Sequence, residues 1–549
     1  MKSGVDRDAR AAQDDEPYDY VIVGAGTAGC VLANRLSADR GTRVLLLEAG
    51  GESRHLLATL PMGYARALAH PGLTTSMYGE PDAGTGGRRH RLLCGAVVGG
   101  SSAVNGMIHV RGHRADFDDW ASAGARGWDY ASVRPYFERA EGRATTAAAA
   151  PGGLELTDTR NDHPVSRAII EAFVQAGHPR CDNFLGPEPE GTAFYHATIR
   201  RGRRWSVARA YLDPARARPD LEIRVHAAAQ RLLFEGMRAT GVLYRIAGQS
   251  RRASARRAVI LAAGAYATPQ LLMLSGIGPP ALLAALGIEV RVAREAVGRN
   301  LQDHLMVPLC WRLRRGVPGL NMQLRGVPLL ASIARCLVHR SGPLALPAAD
   351  VGAFLRSSPA EPRPDLQFHA LPASSRADRD PDSDERRPDP FPGLTLAPAL
   401  LRPASRGRVV LASPDVTVAP RIETGCLAAP GDVARLAAGV RIAIDVAAQP
   451  ALAALVDARV DAPVDAADPA GIERLLRERA RPLQHAAGTC RMGDDAQAVV
   501  DPSLRVHGVQ GLAIVDASVM PAIPSGNTHA TVVMIAERAA DLLRVDRSG

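Results

Sequence analysis

Tyr18-Asp19-Tyr20-Val21-Ile22-Val23 runs into Gly24-Ala25-Gly26-Thr27-Ala28-Gly29, and Val44-Leu45-Leu46-Leu47 then ends on Glu48. A short β-rich run, a glycine turn, a helix-like segment (30–36), a second apolar run and a closing acid together read as a βαβ dinucleotide unit. In that unit Gly24 makes the tight turn, Gly26 lets the backbone approach a pyrophosphate, and Gly29 lets the helix pack closely. The helix N-terminus faces the anion, and Glu48 can accept from a ribose hydroxyl. A glycine turn alone is weak. With the acid at this spacing, dinucleotide binding is the reading.

Two further strands end in the same way far along the chain. Ala258-Val259-Ile260-Leu261-Ala262-Ala263 runs into Gly264, and Leu512-Ala513-Ile514-Val515 runs into Asp516. Ligands of a parallel sheet sit at the carboxyl ends of its strands. The spacing therefore predicts one α/β, Rossmann-type cofactor domain assembled from discontinuous segments, 18–160, 221–310 and 471–549. The stretches 161–220 and 311–470 are expected to form a second, substrate-binding domain, and 1–17 a disordered leader.

Length and composition set bounds around this picture. The chain has 549 residues, more than a single core usually holds. Hydrophobic residues at 46% and charged residues at 22% exclude fibrous and wholly disordered classes. The net charge of +9 rests on one lysine, Lys2, and 65 arginines. Lys2 lies in a polar N-terminal stretch, so Schiff-base chemistry and a nucleotide-binding P-loop are excluded. Arginines are spread along the chain and aromatics are only 4%, which argues against nucleic acid. Cys30, Cys94, Cys181, Cys310, Cys336, Cys426 and Cys490 are unpatterned, as expected of reduced thiols, so the cytoplasm is the expected compartment. No apolar run is long enough to span a bilayer, and the acids Asp6, Asp8, Asp14, Asp15 and Glu16 exclude a signal peptide. Residues 373–390 alternate Asp and Arg with prolines and read as a mobile surface loop. Residues 326–338 place Leu329, Leu330, Ile333 and Leu337 at helical spacing. An ordinary core helix is expected there, ahead of one that lies on a membrane or lids a pocket.

Three segments carry chemistry. Val98-Gly99-Gly100-Ser101-Ser102-Ala103-Val104-Asn105-Gly106 puts small and polar residues where backbone could press on a flat ligand. Gln484-His485-Ala486-Ala487-Gly488-Thr489-Cys490 and Ser525-Gly526-Asn527-Thr528-His529 place two histidines in turns flanking the third cofactor strand. Ser525, Asn527 and Thr528 are capping residues before an apolar helical run, whose N-terminal dipole would be positive. The histidine spacing is not that of a metal site, and none is expected.

These blocks resemble the glucose–methanol–choline family of FAD-dependent oxidoreductases. The resemblance runs from Tyr18 to Arg544 through GAGTAG, GGSSAVNGMIHVRGHRADFDDW, GAYATPQLLMLSGIG, VGRNLQDH, HAAGTCRM and DASVMPAIPSGNTHATVVMIAER, in that order. It implies FAD rather than NAD, and a substrate domain of α+β type with an antiparallel sheet. Carried over by position, Glu48 would bind the adenosine ribose, with Ala49 beside it, and Gly24, Gly26 and Thr27, with Ala28 and Gly29, the pyrophosphate. Val98, Gly99, Ser102, Asn105, Gly106 and Met107 would line the flavin, and Ala229 would meet the adenine. Gly264, Asp516 and Ala517 would meet the ribityl and phosphate part, and Asn527 and Thr528 the flavin. His485 falls on the family's catalytic histidine and His529 on its partner. The chain departs from relatives at Cys94-Gly95-Ala96-Val97-Val98, where a charged turn is usual, and at His109, where Tyr is common. Ala103 and Val104 cannot attach the flavin, so FAD is expected to be noncovalent.

The implied reaction turns a primary alcohol into an aldehyde. Hydride leaves readily only from an alkoxide-like carbon, so a base must reach the hydroxyl, and an imidazole fits. His485 is expected in that role, with His529 bonding the same oxygen and flavin N5 as hydride acceptor. Oxygen or a quinone would reoxidise the flavin. A hydroxynitrile lyase or a light-driven fatty-acid decarboxylase on the same fold are the alternatives.

Overall fold

The computed structural model describes residues 12–13, 16–142, 152–379, 388–461 and 464–545. Most of the expected leader, and 380–387 of the expected loop, lie outside these. Ser374 and Asp389, at the ends of that loop, are buried, and Ser374 Oγ donates to Asp389 Oδ2 at 2.7 Å.

The first sheet runs in the order Leu221–Arg224, Val44–Leu47, Tyr18–Val23, Gln249–Leu261, Arg238–Ile246, Ala228–Glu235, and Leu512–Ile514 also pairs with Gln249–Leu261. Its first four strands and Leu512–Ile514 are parallel, and the other two continue as an antiparallel meander. Every residue of Tyr18–Val23 and Val44–Leu47 is buried, as strands covered on both faces must be. Register does the rest. Val23 lies opposite both Leu47 and Leu261, and Leu261 lies opposite Ile514. Gly24, Glu48, Gly264 and Asp516 follow these residues and so emerge at one edge, although up to 492 positions separate them (516 − 24). Helix Thr27–Leu36 packs against helix His529–Val545 through a buried ion pair, Arg35 Nη2 to Glu537 Oε1 at 2.8 Å, to which the Tyr211 hydroxyl also donates.

The second sheet is antiparallel, in the order Val456–Arg459, Leu309–Leu313, Gly393–Leu400, Leu366–Leu371, Val351–Leu355, Gly191–Phe194. Its residues alternate between two destinations. Leu366, Phe368, Ala370, Leu394 and Leu396 enter the core that contains Leu436, Val440 and Ala443 of helix Pro430–Ala448. His369, Leu371, Thr395 and Ala397 face a cavity shared with the first sheet. Leu305–Met306 and Arg481–Pro482 pair with each other, and Leu305–Met306 with Gly393–Leu400. Both lie in stretches that the sequence reading gives to the cofactor domain. Two-residue strands leave no periodicity to read, and their pairing is wholly long-range.

The helix at 326–338 forms, as Gly326–His339, but the expected core setting is wrong. Only Ser332 and Cys336 are buried, while Val327, Leu330, Leu337 and Val338 are 79%, 65%, 61% and 72% exposed. Helical periodicity reports an apolar face; it does not report what covers that face.

Candidate active site

The carboxyl edge of the first sheet opens onto a cavity of about 1260 Å³ that reaches across to the second sheet. Most of the expected cofactor residues line it: Gly24, Gly26, Thr27, Ala28, Glu48, Ala49, Ser102, Asn105, Gly106, Met107, Ala229, Gly264, Asp516, Ala517, Asn527 and Thr528. Gly29, Val98 and Gly99 are not among the lining residues and pack behind them. A Cβ on Gly29 would lie 1.9 Å from the Gly24 carbonyl oxygen. Gly99, at φ +96°, donates its N–H to Ala25 O at 2.7 Å, and Val98 donates to Gly51 O.

The acids at the strand ends are fixed by backbone donors. Glu48 accepts from Ala25 N and Gly50 N, each at 2.8 Å, so it ties the glycine turn to the end of its own strand. Burial pushes its carboxyl upward, and those two N–H groups oppose the shift. Asp516 accepts from Gly264 N and from the Thr268 hydroxyl. Losing a charged hydrogen-bonding group costs about 1.5–3 kcal/mol. Glu48→Ala is therefore expected to weaken dinucleotide retention roughly 10- to 100-fold, read as the flavin:protein ratio after gel filtration. An unchanged ratio would remove Glu48 from the binding site.

A chain of side chains organises the reactive end. His485 Nε2 lies 3.1 Å from Asn527 Nδ2, and His485 Nδ1 lies 3.0 Å from His304 Nδ1. Gln367 Nε2 donates to Asn527 Oδ1 at 3.2 Å and to the Tyr195 hydroxyl at 2.9 Å, and that hydroxyl donates to Phe368 O. With its oxygen engaged by Gln367, the Asn527 amide turns its NH₂ toward His485. The imidazole then carries its proton on Nδ1, toward His304, and presents an Nε2 lone pair. Asp303 Oδ1 accepts the His485 N–H at 2.9 Å and holds the backbone.

His529 lines the same cavity, but the side chain that reaches His485 is Asn527. Both ring nitrogens of His529 lack a hydrogen-bond partner among the described residues, and its electrostatic neighbours are His109 and Arg204. The expectation of two imidazoles on one oxygen is corrected accordingly. Residues two apart face different sides as the chain enters a helix, and His529 is the first residue of His529–Val545. Sequence reading named Asp303 and His304 only as part of a block and missed Gln367 and Tyr195. Gln367 and Tyr195 reach the site only through long-range strand pairing, which no local signal reports.

Burial keeps these imidazoles neutral. It drives His485 well below the ordinary histidine value, with His304 and His369 adding to the shift, and lowers His304 to about 3, His369 to about 4 and His529 to about 3. The unfolded chain takes up protons near pH 6.5 that the folded chain refuses, so these four groups withdraw stability as pH falls below that value. Burial raises the Asp303 carboxyl to about 7, which works the other way and offsets one of them. The melting temperature is expected to drop between pH 7 and pH 5; a flat profile would mean that these rings are hydrated in solution.

Asp82, His90 and Cys426 place ligand atoms within 4.8 Å of one another. Thr424 Oγ1 and Cys426 N donate to Asp82 Oδ2, and His90 Nε2 pairs with Thr85 Oγ1, so protein hydrogen bonds occupy much of this trio.

A glycine-turn dinucleotide sheet, joined across one cavity to an antiparallel sheet and furnished with a neutral imidazole, defines a two-domain dinucleotide-dependent oxidoreductase. The GMC oxidoreductase family matches residues 18–306 with its N-terminal domain and 403–536 with its C-terminal domain, and the chain belongs to that family. It is 39% identical over 537 residues to the oxygen-dependent choline dehydrogenase of Ectopseudomonas mendocina (96% of this chain, 94% of that protein). It is 38% identical to the mitochondrial choline dehydrogenase of Homo sapiens (97% and 91%). Among solved structures, pyridoxine 4-oxidase from Mesorbium loti superposes with a TM-score of 0.84 at 29% identity, over 95% of this chain and 98% of that one. The cofactor is FAD and the enzyme acts on CH–OH donors. The cavity fits the cofactor. A Cβ on Gly26 would meet only Ala262 O, at 3.8 Å, so its backbone is open for close approach by a phosphate, while Glu48 stands at the neighbouring strand end.

Proposed function

We propose that the protein oxidises a primary alcohol to the aldehyde, with His485 Nε2 as the base and Asn527 Nδ2 as the donor that orients the substrate oxygen. The supporting observation is the 3.1 Å approach of these two atoms within the cavity. A hydroxyl placed against both could give its proton to Nε2 while accepting from Nδ2. The depressed basicity of His485 keeps Nε2 unprotonated at neutral pH, where a substrate hydroxyl can take the place of the Asn527 contact. His304 takes the Nδ1 proton contact and fixes the ring, while Gln367 fixes the amide. FAD, when bound, supplies a hydride acceptor at N5. Residues of the glycine turn and Glu48 would hold its adenosine and pyrophosphate part, and 102–107 its ring. Noncovalent attachment follows from Ala103 and Val104, which offer no nucleophile. The helix beginning at His529 would turn amide donors and a positive dipole toward negative charge on the ring.

The names of the relatives, choline dehydrogenases, support a primary alcohol as the donor. Oxygen or a quinone is the proposed terminal acceptor, and hydrogen peroxide measured during turnover separates them. Aldehyde formed in step with alcohol consumed supports the reading. Cyanide released from cyanohydrins, with no aldehyde from primary alcohols, would replace it with the lyase.

A further inference from the structure

Helix Gly326–His339 is 14 residues long and carries a large exposed apolar surface. Val327, Leu330, Leu337 and Val338 are at least 61% exposed, and Met322, on the turn before it, is 42% exposed. A patch of this kind on an otherwise polar surface marks an interaction site. The surrounding charge identifies the occupant. From Arg312 to Ala349 the chain contains no Asp or Glu. Arg325, Arg335 and Arg340 flank the helix, and none is ion-paired with a carboxylate among the described residues. The hairpin turn at Arg201-Gly202 adds to this field: a Cβ on Gly202 would lie 2.2 Å from Arg340 O, so exposed Arg201 and Arg203 stand beside the helix end.

We propose that this helix seats the enzyme on an anionic lipid surface, its leucines and valines at the acyl boundary and its arginines among the phosphates. Amphipathic helices bind membranes in this way, by buried apolar area together with attraction to anionic headgroups. A second copy of the chain is disfavoured, because a symmetric contact would set these arginines against one another. No helix among the described residues is long and apolar enough to cross a bilayer, so the association is peripheral. Leu329 and Ile333 of the same helix line the active-site cavity. The docked enzyme would therefore hold its cavity roof against the lipid.

Flotation of the FAD-loaded enzyme with phosphatidylcholine vesicles, and with vesicles in which part of that lipid is replaced by anionic phosphatidylglycerol, tests this. The expected result is at least tenfold more protein bound to the anionic vesicles at low salt. Leu330→Asp/Leu337→Asp should lose that binding while keeping its flavin, since neither side chain lines the cavity. Arg335→Glu/Arg340→Glu leaves the apolar face intact and is a second test: its binding to anionic vesicles should fall to the level seen with phosphatidylcholine. Equal binding of wild type and both variants overturns the proposal. So does a concentration-dependent dimer that Leu330→Asp/Leu337→Asp dissolves without any vesicle binding by the wild type.

Discussion

His485→Ala is expected to slow the reduction of bound FAD by alcohols by about two to four orders of magnitude, the usual span for losing a positioned general base. The two side chains bonded to the ring offer no replacement at that point. Asn527 presents an amide NH₂ and cannot take a proton, His304 sits behind the lost ring on its Nδ1 side, and the His529 ring nitrogens form no hydrogen bond among the described residues. Cofactor retention should survive, because the ring touches Asn527 and His304 rather than the glycine turn. Stopped-flow bleaching of the flavin under anaerobic conditions reads the rate, and the absorption spectrum reads the bound FAD. A variant that keeps its flavin and is reduced at the wild-type rate would place the base elsewhere.

Gly29→Ala is expected to yield protein largely without flavin. The added Cβ would lie 1.9 Å from Gly24 O and 3.4 Å from Leu46 Cδ1. The first of these is backbone, so no rotamer change relieves the clash; the glycine turn must move away from the helix. Overpacking of this kind costs about 1–3 kcal/mol, and here the displaced atoms belong to the turn proposed to hold the phosphates. A lowered melting temperature together with a fall in flavin:protein ratio is the expected pair. Gly186→Ala, where nothing lies within 4 Å, is the control and should change neither. A Gly29→Ala enzyme with a full complement of flavin would mean that the turn tolerates a wider helix.

What could be read from the sequence, and what could not, divides along one physical line. Local chemistry was legible. The strand, turn, helix and acid from Tyr18 to Glu48 fold as the spacing predicts, since strand burial, a positive φ at Gly24 and close packing at Gly29 are all demands on single residues. The convergence of Gly264 and Asp516 on that edge was also legible, because parallel strands bring like ends together. What depends on which surfaces meet was not. Gln367 and His369 are the two polar residues of an otherwise apolar strand, and only the pairing of Leu366–Leu371 with its neighbours brings Gln367 to Asn527. The choice of Asn527 over His529 turns on the angle at which the chain enters its last helix. The helix at 326–338 was found by its period, and its exposure was not, because a period is blind to the partner.

The central claim is that a neutral imidazole and an amide meet at one point of an FAD-binding cavity and there deprotonate an alcohol. Anaerobic mixing of the purified yellow enzyme with a panel of primary alcohols tests it most directly. The long-wavelength flavin band should bleach with at least one of them, and aldehyde should appear in equal amount to the flavin reduced. A band that stays unchanged with every alcohol, while cyanohydrins are split or light is required for any turnover, would contradict it.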